Sequence, residues 1–174
     1  RVEDGADEKK EEDVDVRGWL MEQQFNVQDI SEEGFYYRSQ LDGDVNKAMA
    51  KSKLKRVRKD IAILSNSLPE GIYVRADEDR LDMIKVMITG PRGTPYENGC
   101  FFFDLYLPPD YPQKNPSMIF LTTGSGAYRF NPNLYQGGKI CISLLGTWSG
   151  PGWDPETSTL LQLLVSIQAL VFVD

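Results

Sequence analysis

At Pro69-Glu70-Gly71 the hydrophobic period of the chain changes. From Lys47 to Asn66 the apolar side chains Leu54, Val57, Ile61 and Leu64 recur at spacings of three and four, which lines one face of a helix. Beyond the break the pattern becomes period two and short apolar runs. Ile72 to Arg75, Asp82 to Thr89, Cys100 to Leu107 and Ser117 to Leu121 read as strands, separated by Pro/Gly-rich turns at 90–96 and 108–116. Consecutive strands joined by short turns make an antiparallel meander. After a long loop from Gly124 to Trp153 the apolar segment Ser158 to Val173 returns to a helix, with Thr157 or Ser158 as its N-cap. The expected fold class is α+β: a four-stranded antiparallel meander, a basic N-terminal helix, a long loop and a helix packed on the sheet.

The 174 residues suffice for one domain plus extra chain, and 41% hydrophobic residues can build its core. Charge divides the two parts. Residues 1–46 carry 14 acidic and 5 basic side chains, net −9, whereas 47–174 carry 12 acidic and 14 basic, net +2. The first dozen residues bury too little apolar surface to offset ordering entropy and are expected to be disordered. Between Trp19 and Leu41, aromatics such as Phe25, Phe35, Tyr36 and Tyr37 predict a segment that docks on a domain or a partner. The domain reading is therefore an acidic, partly disordered leader over 1–46 and a folded domain over 47–174. On the first helix of that domain, Lys47, Lys51, Lys53, Lys55, Arg56, Arg58 and Lys59 cover the non-apolar faces, with Asp60 the only acid. Such a field suits an acidic partner or is simply a solvated face.

The chain contains no histidine, which removes His-dependent nucleophilic triads and His-ligated metals. Two cysteines, Cys100 and Cys141, are too few for a thiolate zinc cage or a disulfide framework and favour a reducing, intracellular setting, cytoplasmic and/or nuclear. The longest apolar stretch, Leu160 to Val173, is interrupted by Gln162, Ser166 and Gln168 and is shorter than the roughly 20 residues of a bilayer span. Neither nucleic acid nor membrane is an expected partner. A chain that opens at Arg1 rather than Met reads as a piece of something longer.

Chemistry concentrates in Arg129 to Trp148, RFNPNLYQGGKICISLLGTW. Asn131-Pro132-Asn133 suggests a rigid turn and Gly137-Gly138 a second bend. Together they would fold the chain back so that the Asn133 amide approaches Cys141, eight residues on. An ordinary thiol, with a pKa near ~8.5, is a few per cent thiolate at neutral pH. That suits thioester exchange between sulfurs of similar basicity and suits a protease poorly, since no base stands ready to activate it. Asn133 could stabilise an oxyanion when an amine attacks a thioester at Cys141, or it could order the loop. Read locally, Cys141 between Ile140 and Ile142 is also compatible with a small buried hydrophobe, and Cys100, between Gly99 and Phe101, is expected to be one.

Several motifs in order resemble the ubiquitin-conjugating enzyme family over about Ala50 to Asp174. They are the basic helix with Leu54-Lys55-Arg56-Val57; Gly90, Pro91, Thr94, Pro95, Tyr96 and Gly99 before a strand; Pro108, Asp110, Tyr111 and Pro112; and the asparagine and cysteine eight apart. The run Arg129 to Asn133 and Leu145-Gly146-Thr147-Trp148 look most like the subgroup of large conjugating enzymes. The resemblance implies that Cys141 accepts ubiquitin, or a related modifier, as a thioester from the activating enzyme for transfer to a substrate lysine, with or without a ligase. It implies Asn133 as the catalytic asparagine, and Lys55, Arg56 and Lys59 as contacts for the activating enzyme. Leu107, Pro108 and Pro155 would lie on the two loops offered to ligase and activating enzyme. No cofactor or metal is implied, since ATP is consumed upstream. Two departures stand out: Asn131 occupies the place where most members have a structural histidine, and Leu107 the place of an aromatic residue in many ligase-binding members. The family's further C-terminal helices and the gate residue near the cysteine are expected beyond Asp174.

Overall fold

A computed structural model describes residues 15–42 and 51–173. The segment expected to be disordered, the start of the first domain helix at Lys47, and Asp174 lie outside the described residues. Elements follow in the order α1 (Val16–Glu22), β1 (Phe25–Gln28), α2 (Arg38–Asp42), α3 (Lys51–Ser67), β2 (Ile72–Asp77), β3 (Met83–Thr89), β4 (Cys100–Tyr106), β5 (Ser117–Phe120) and α4 (Leu160–Leu170). A short 3-10 turn, Ser143–Leu145, interrupts the long loop.

Strands β2 to β5 form the expected antiparallel meander, joined by a fifth strand that the periodicity did not reveal. β1 pairs in parallel with β2, Phe25 opposite Val74, so the sheet is mixed. A parallel neighbour requires a crossover, and α3 lies within it. The face formed by Val74, Val86, Phe103 and Phe120 packs against Val57 and Leu64 of α3 and Leu160, Leu163, Leu164 and Ile167 of α4. α4 begins two residues later than the expected start at Ser158. Its N-cap is Thr159, in a capping box with Gln162, while the Ser158 hydroxyl instead accepts the Asp154 N–H at 2.9 Å.

The leader segment docks on its own domain. Ile30, Phe35, Tyr37 and Leu41 cover Met83, Tyr106 and Ile119 on the opposite face of the sheet. Two buried carboxylates fix its path: the Ile30 N–H donates to Asp77 and the Tyr36 N–H to Asp104, each at 2.8 Å. Lys85 completes the Asp104 site at 3.1 Å, satisfying a carboxylate that would otherwise be an isolated buried charge. The leader leaves Phe102 and Leu121 of that face exposed. Cys100 opens β4 on this same face and is exposed, against the expectation of a buried hydrophobe, because strand alternation turns only its neighbour Phe101 into the core.

On α3 the cations divide into two groups. Lys53 is buried, contrary to its expected place on a solvated face, and donates to the Leu107 carbonyl at 2.9 Å. Arg56 turns inward as well, to Asp60 at 2.8 Å, to the Pro155 carbonyl at 2.6 Å and to the Ser158 carbonyl. Burial disfavours its cation, yet the hydrogen bond and charge of Asp60 outweigh that cost and its pKa is raised. Lys51, Lys55, Arg58 and Lys59 are exposed. Thus α3 ties down two loops with two cations while other cations face outward.

Candidate active site

The long loop is assembled by side chains bonding to backbone. Asn131 donates its two amide hydrogens to the Tyr96 hydroxyl at 2.8 Å and the Val171 carbonyl at 2.7 Å, while its oxygen accepts the Asn133 N–H at 2.7 Å. Three of the four hydrogen bonds open to one amide are spent on joining the turn before β4, the end of α4 and the loop. The Tyr96 hydroxyl passes on to the Phe130 carbonyl at 3.2 Å, and Phe130 sits edge-on to Phe101. At the second bend the Gly138 carbonyl accepts the Phe120 N–H at 2.9 Å, docking the loop on the edge of β5. Gly138 has φ +85°, and a Cβ there would stand 2.7 Å from the Phe120 carbonyl oxygen, so only glycine fits.

These two bends return the chain as the spacing predicted. The Cys141 N–H donates to the Asn133 carbonyl at 2.8 Å, and the Asn133 side-chain amide donates to the Cys141 carbonyl at 2.7 Å. Asn133 therefore holds both backbone groups of the cysteine. Its amide nitrogen retains a second hydrogen for another acceptor. Ile140 and Ile142 enter the apolar core, whereas Cys141 between them stays outside that cluster although it is only 3% exposed. A thiol so shielded meets a large electrophile only after its neighbours shift.

Lys139, the cation nearest in sequence, places its ammonium 5.8 Å from the Tyr135 ring centroid, and Arg129 lies 4.2 Å from the same ring. Among the described residues no group of His, Cys, Asp and Glu could hold a metal ion. Nor, among them, is any helix long and apolar enough to cross a membrane.

The other expected contact residues are distributed unevenly. Lys55 and Lys59 are exposed on α3, while Arg56 is committed to Asp60 and to the 155–158 loop. Pro155 is half-buried. Leu107 lies on the loop that follows β4 but is 0% exposed, its side chain in the core; Pro108 is buried beside it, and Pro109 and Asp110 form the exposed part of that turn. Thr147, with no role expected from the sequence, touches the peptide groups on both sides of Cys141. Its signal in the sequence was the Gly146-Thr147 pair after an apolar run, a place where a hydroxyl readily bonds nearby backbone.

A family model described as ubiquitin-conjugating enzyme matches residues 56–172. The chain belongs to this family. Among curated relatives it is 47% identical over 146 residues to the dual ubiquitin-conjugating enzyme and ubiquitin-protein ligase BIRC6 of Homo sapiens, an alignment covering 80% of this chain and 3% of that protein. It is 51% identical over 131 residues to a probable ubiquitin-conjugating enzyme of Arabidopsis thaliana, covering 74% of this chain and 12% of that one. The solved structure of human ubiquitin-conjugating enzyme E2 G1 matches with a TM-score of 0.58 at 31% identity, over 69% of this chain and 93% of that chain. The chain thus spans a small part of the curated relatives it matches. The family's α+β fold and the enzyme class expected from the motifs agree with these relatives.

Proposed function

We propose that the chain carries ubiquitin or a ubiquitin-like modifier as a thioester on Cys141 and passes it to a lysine amine of a protein substrate, with or without a ligase. The observation that carries this reading is the double grip of Asn133 on Cys141: the Asn133 carbonyl accepts the Cys141 N–H and the Asn133 side-chain amide donates to the Cys141 carbonyl, which leaves one amide hydrogen unspent. In the first step the Cys141 thiolate attacks the thioester carbonyl on the activating enzyme, and that enzyme's thiolate leaves. In the second a neutral amine attacks the carbonyl on Cys141, the Cys141 thiolate leaves, and the amine's proton passes to solvent. The charge that develops on the carbonyl oxygen is met by the free Asn133 hydrogen, an effect worth ~3 kcal/mol for one well-placed donor. The residues perform acyl exchange without a resident cofactor, ATP being consumed by the activating enzyme.

Lys55 and Lys59 supply the positive field for the activating enzyme, with Arg56 shaping the same surface by tying the Pro155 loop to α3. The loops that carry Leu107, Pro108 and Pro155, tied to α3 by Lys53 and Arg56, supply the further contacts. Cys100 and Cys141 are both free thiols, which suits a reducing cytoplasmic or nuclear compartment. Incubation with activating enzyme, ATP and modifier should give a reductant-sensitive adduct, and Cys141→Ser should convert it to a reductant-resistant ester. Absence of adduct across a panel of modifiers with matched activating enzymes would overturn the proposal. Asn133→Ala should leave charging measurable and slow discharge onto free lysine by ~10². Equal loss of both steps would assign Asn133 to holding the loop alone.

A further inference from the structure

Around Cys141 the chain is extended, with Ile142 at φ −146° and ψ 144°; an isolated antiparallel bridge between Leu134 and Ile140 adjoins it, and among the described residues none of the five strands pairs with it, so its remaining backbone groups need other partners. Asn133 serves the two backbone groups of Cys141 itself. The flanking groups go elsewhere. The Ile142 N–H donates to the Thr147 hydroxyl at 3.0 Å, and that hydroxyl donates its single proton to the Ile140 carbonyl at 2.6 Å, with the Ile142 carbonyl at 3.0 Å as an alternative acceptor. One oxygen therefore closes both peptide units that bracket the cysteine. The 3-10 turn Ser143–Leu145 and Gly146, left-handed at φ +66°, bring Thr147 back to this place, where its own N–H donates to the Ile142 carbonyl at 3.3 Å.

We propose that Thr147 is a positioning residue for Cys141, its hydroxyl fixing the peptide planes that aim the sulfur. This deepens the thioester reading and rests on it. With Asn133 on one side and Thr147 on the other, four consecutive backbone groups from the Ile140 carbonyl to the Ile142 N–H are held by two residues. Releasing the Thr147 side frees the peptide planes to rotate, which moves the sulfur relative to the Asn133 amide. Misplacement of a reacting atom by about 1 Å can cost up to ~10² in rate even when the group itself is intact.

The test uses the full chain, Thr147→Val, which keeps the shape and removes the hydroxyl, and Thr147→Ser, which keeps the hydroxyl. Three rates are read: charging with ubiquitin, discharge onto free lysine, and iodoacetamide alkylation of Cys141 followed on its own peptide by mass spectrometry, because Cys100 is also a free, exposed thiol. Thr147→Val should slow charging and discharge by about 10-fold or more while speeding alkylation of the shielded sulfur, and Thr147→Ser should restore all three. Opposed changes in the two chemistries, with rescue by serine, are not produced by simple loss of folded protein. Parent-like rates in Thr147→Val, or equal impairment in Thr147→Ser, would overturn the assignment. If the parent chain itself accepts no modifier, the thioester reading fails, and alkylation then decides Thr147 alone: a changed rate in the valine variant, rescued by serine, supports it, and an unchanged one removes it.

Discussion

Arg56→Ala separates holding the fold from meeting a partner, since the family pattern gives Arg56 to a docking face and the structure commits it inward. The Arg56 side chain is 13% exposed and bonds Asp60, whose side chain is 0% exposed. Asp60 receives one further bond, from the Tyr111 hydroxyl at 2.5 Å, and its Oδ1 has no hydrogen-bond partner. Deleting Arg56 leaves a buried carboxylate held by one phenol and releases the Pro155 and Ser158 carbonyls. Breaking a buried pair from one side costs about 3–5 kcal/mol, whereas an exposed pair is worth ~0–1. Partial exposure of Arg56 favours the lower figure, about 3 kcal/mol. For a chain of this size that lowers the unfolding midpoint by roughly 6–12 °C. Lys55→Ala and Lys59→Ala should each stay within ~0.5 kcal/mol. Thermal and urea unfolding followed by circular dichroism measure this, with charging assayed on the same samples below the transition. Arg56→Met with Asp60→Asn should recover most of the loss, because no unpaired charge remains and the new amide oxygen still accepts from Tyr111. If Arg56→Ala lost charging while its stability stayed within ~1 kcal/mol of the parent, the inward commitment would be refuted and the arginine would belong to the partner.

Lys55→Glu with Lys59→Glu should slow charging, and added salt should shrink the difference from the parent because exposed charges are screened within ~10 Å at 0.1 M; a salt-independent or absent effect removes electrostatic docking. Leu41→Ala, at a fully buried leader position, should destabilise global unfolding by about 2–5 kcal/mol, and a change below ~0.5 would show that the leader is not part of the folding unit. Burial raises Tyr37, aided by Tyr36 and Asp104, and burial raises Tyr111, aided by the Asp60 charge. Both phenols thus stay neutral in the fold above their ordinary value of 10.0, where the unfolded chain ionises. The sign follows: stability is intact below pH 10 and is lost as pH rises beyond it. Tyrosinate absorbance and circular dichroism recorded together should show at least two of the eight tyrosines ionising only with unfolding. Full ionisation before any loss of ellipticity would refute this.

The meander was legible because each of its strands alternates or runs apolar over several residues between short turns, which are Pro/Gly-rich after β3 and β4 and charged between β2 and β3, and only one order of consecutive hairpins fits. β1 was not, since Phe-Asn-Val-Gln is four residues long and its strand character comes from pairing: the Val74 N–H donates to the Gln24 carbonyl and the Glu78 N–H to the Gln28 carbonyl. Docking of the leader was readable only as aromatic content, because the groups that fix its path, Asp77 and Asp104, lie 47 and 68 residues away in sequence. Lys53 and Cys100 went astray for opposite reasons. A long amine can reach inward from a face that looks solvated, and a cysteine beside a phenylalanine can occupy the outward position of an alternating strand.

The spacing of Asn133 and Cys141 predicted their approach because the bend that leads into Asn133 and the bend that follows it are encoded locally, by Pro132 and by Gly138 at positive φ. What spacing could not assign was the division of labour within the loop. Asn131 spans three parts of the fold, Asn133 grips the cysteine, and Thr147 closes the flanking peptides, all through amides and one hydroxyl. None of these three side chains titrates. A histidine at position 131 would add a group that changes charge near neutral pH within the hydrogen-bond network around Cys141. With asparagine there, the holding bonds of Asn131, Asn133 and Thr147 keep the same donors and acceptors throughout the neutral range.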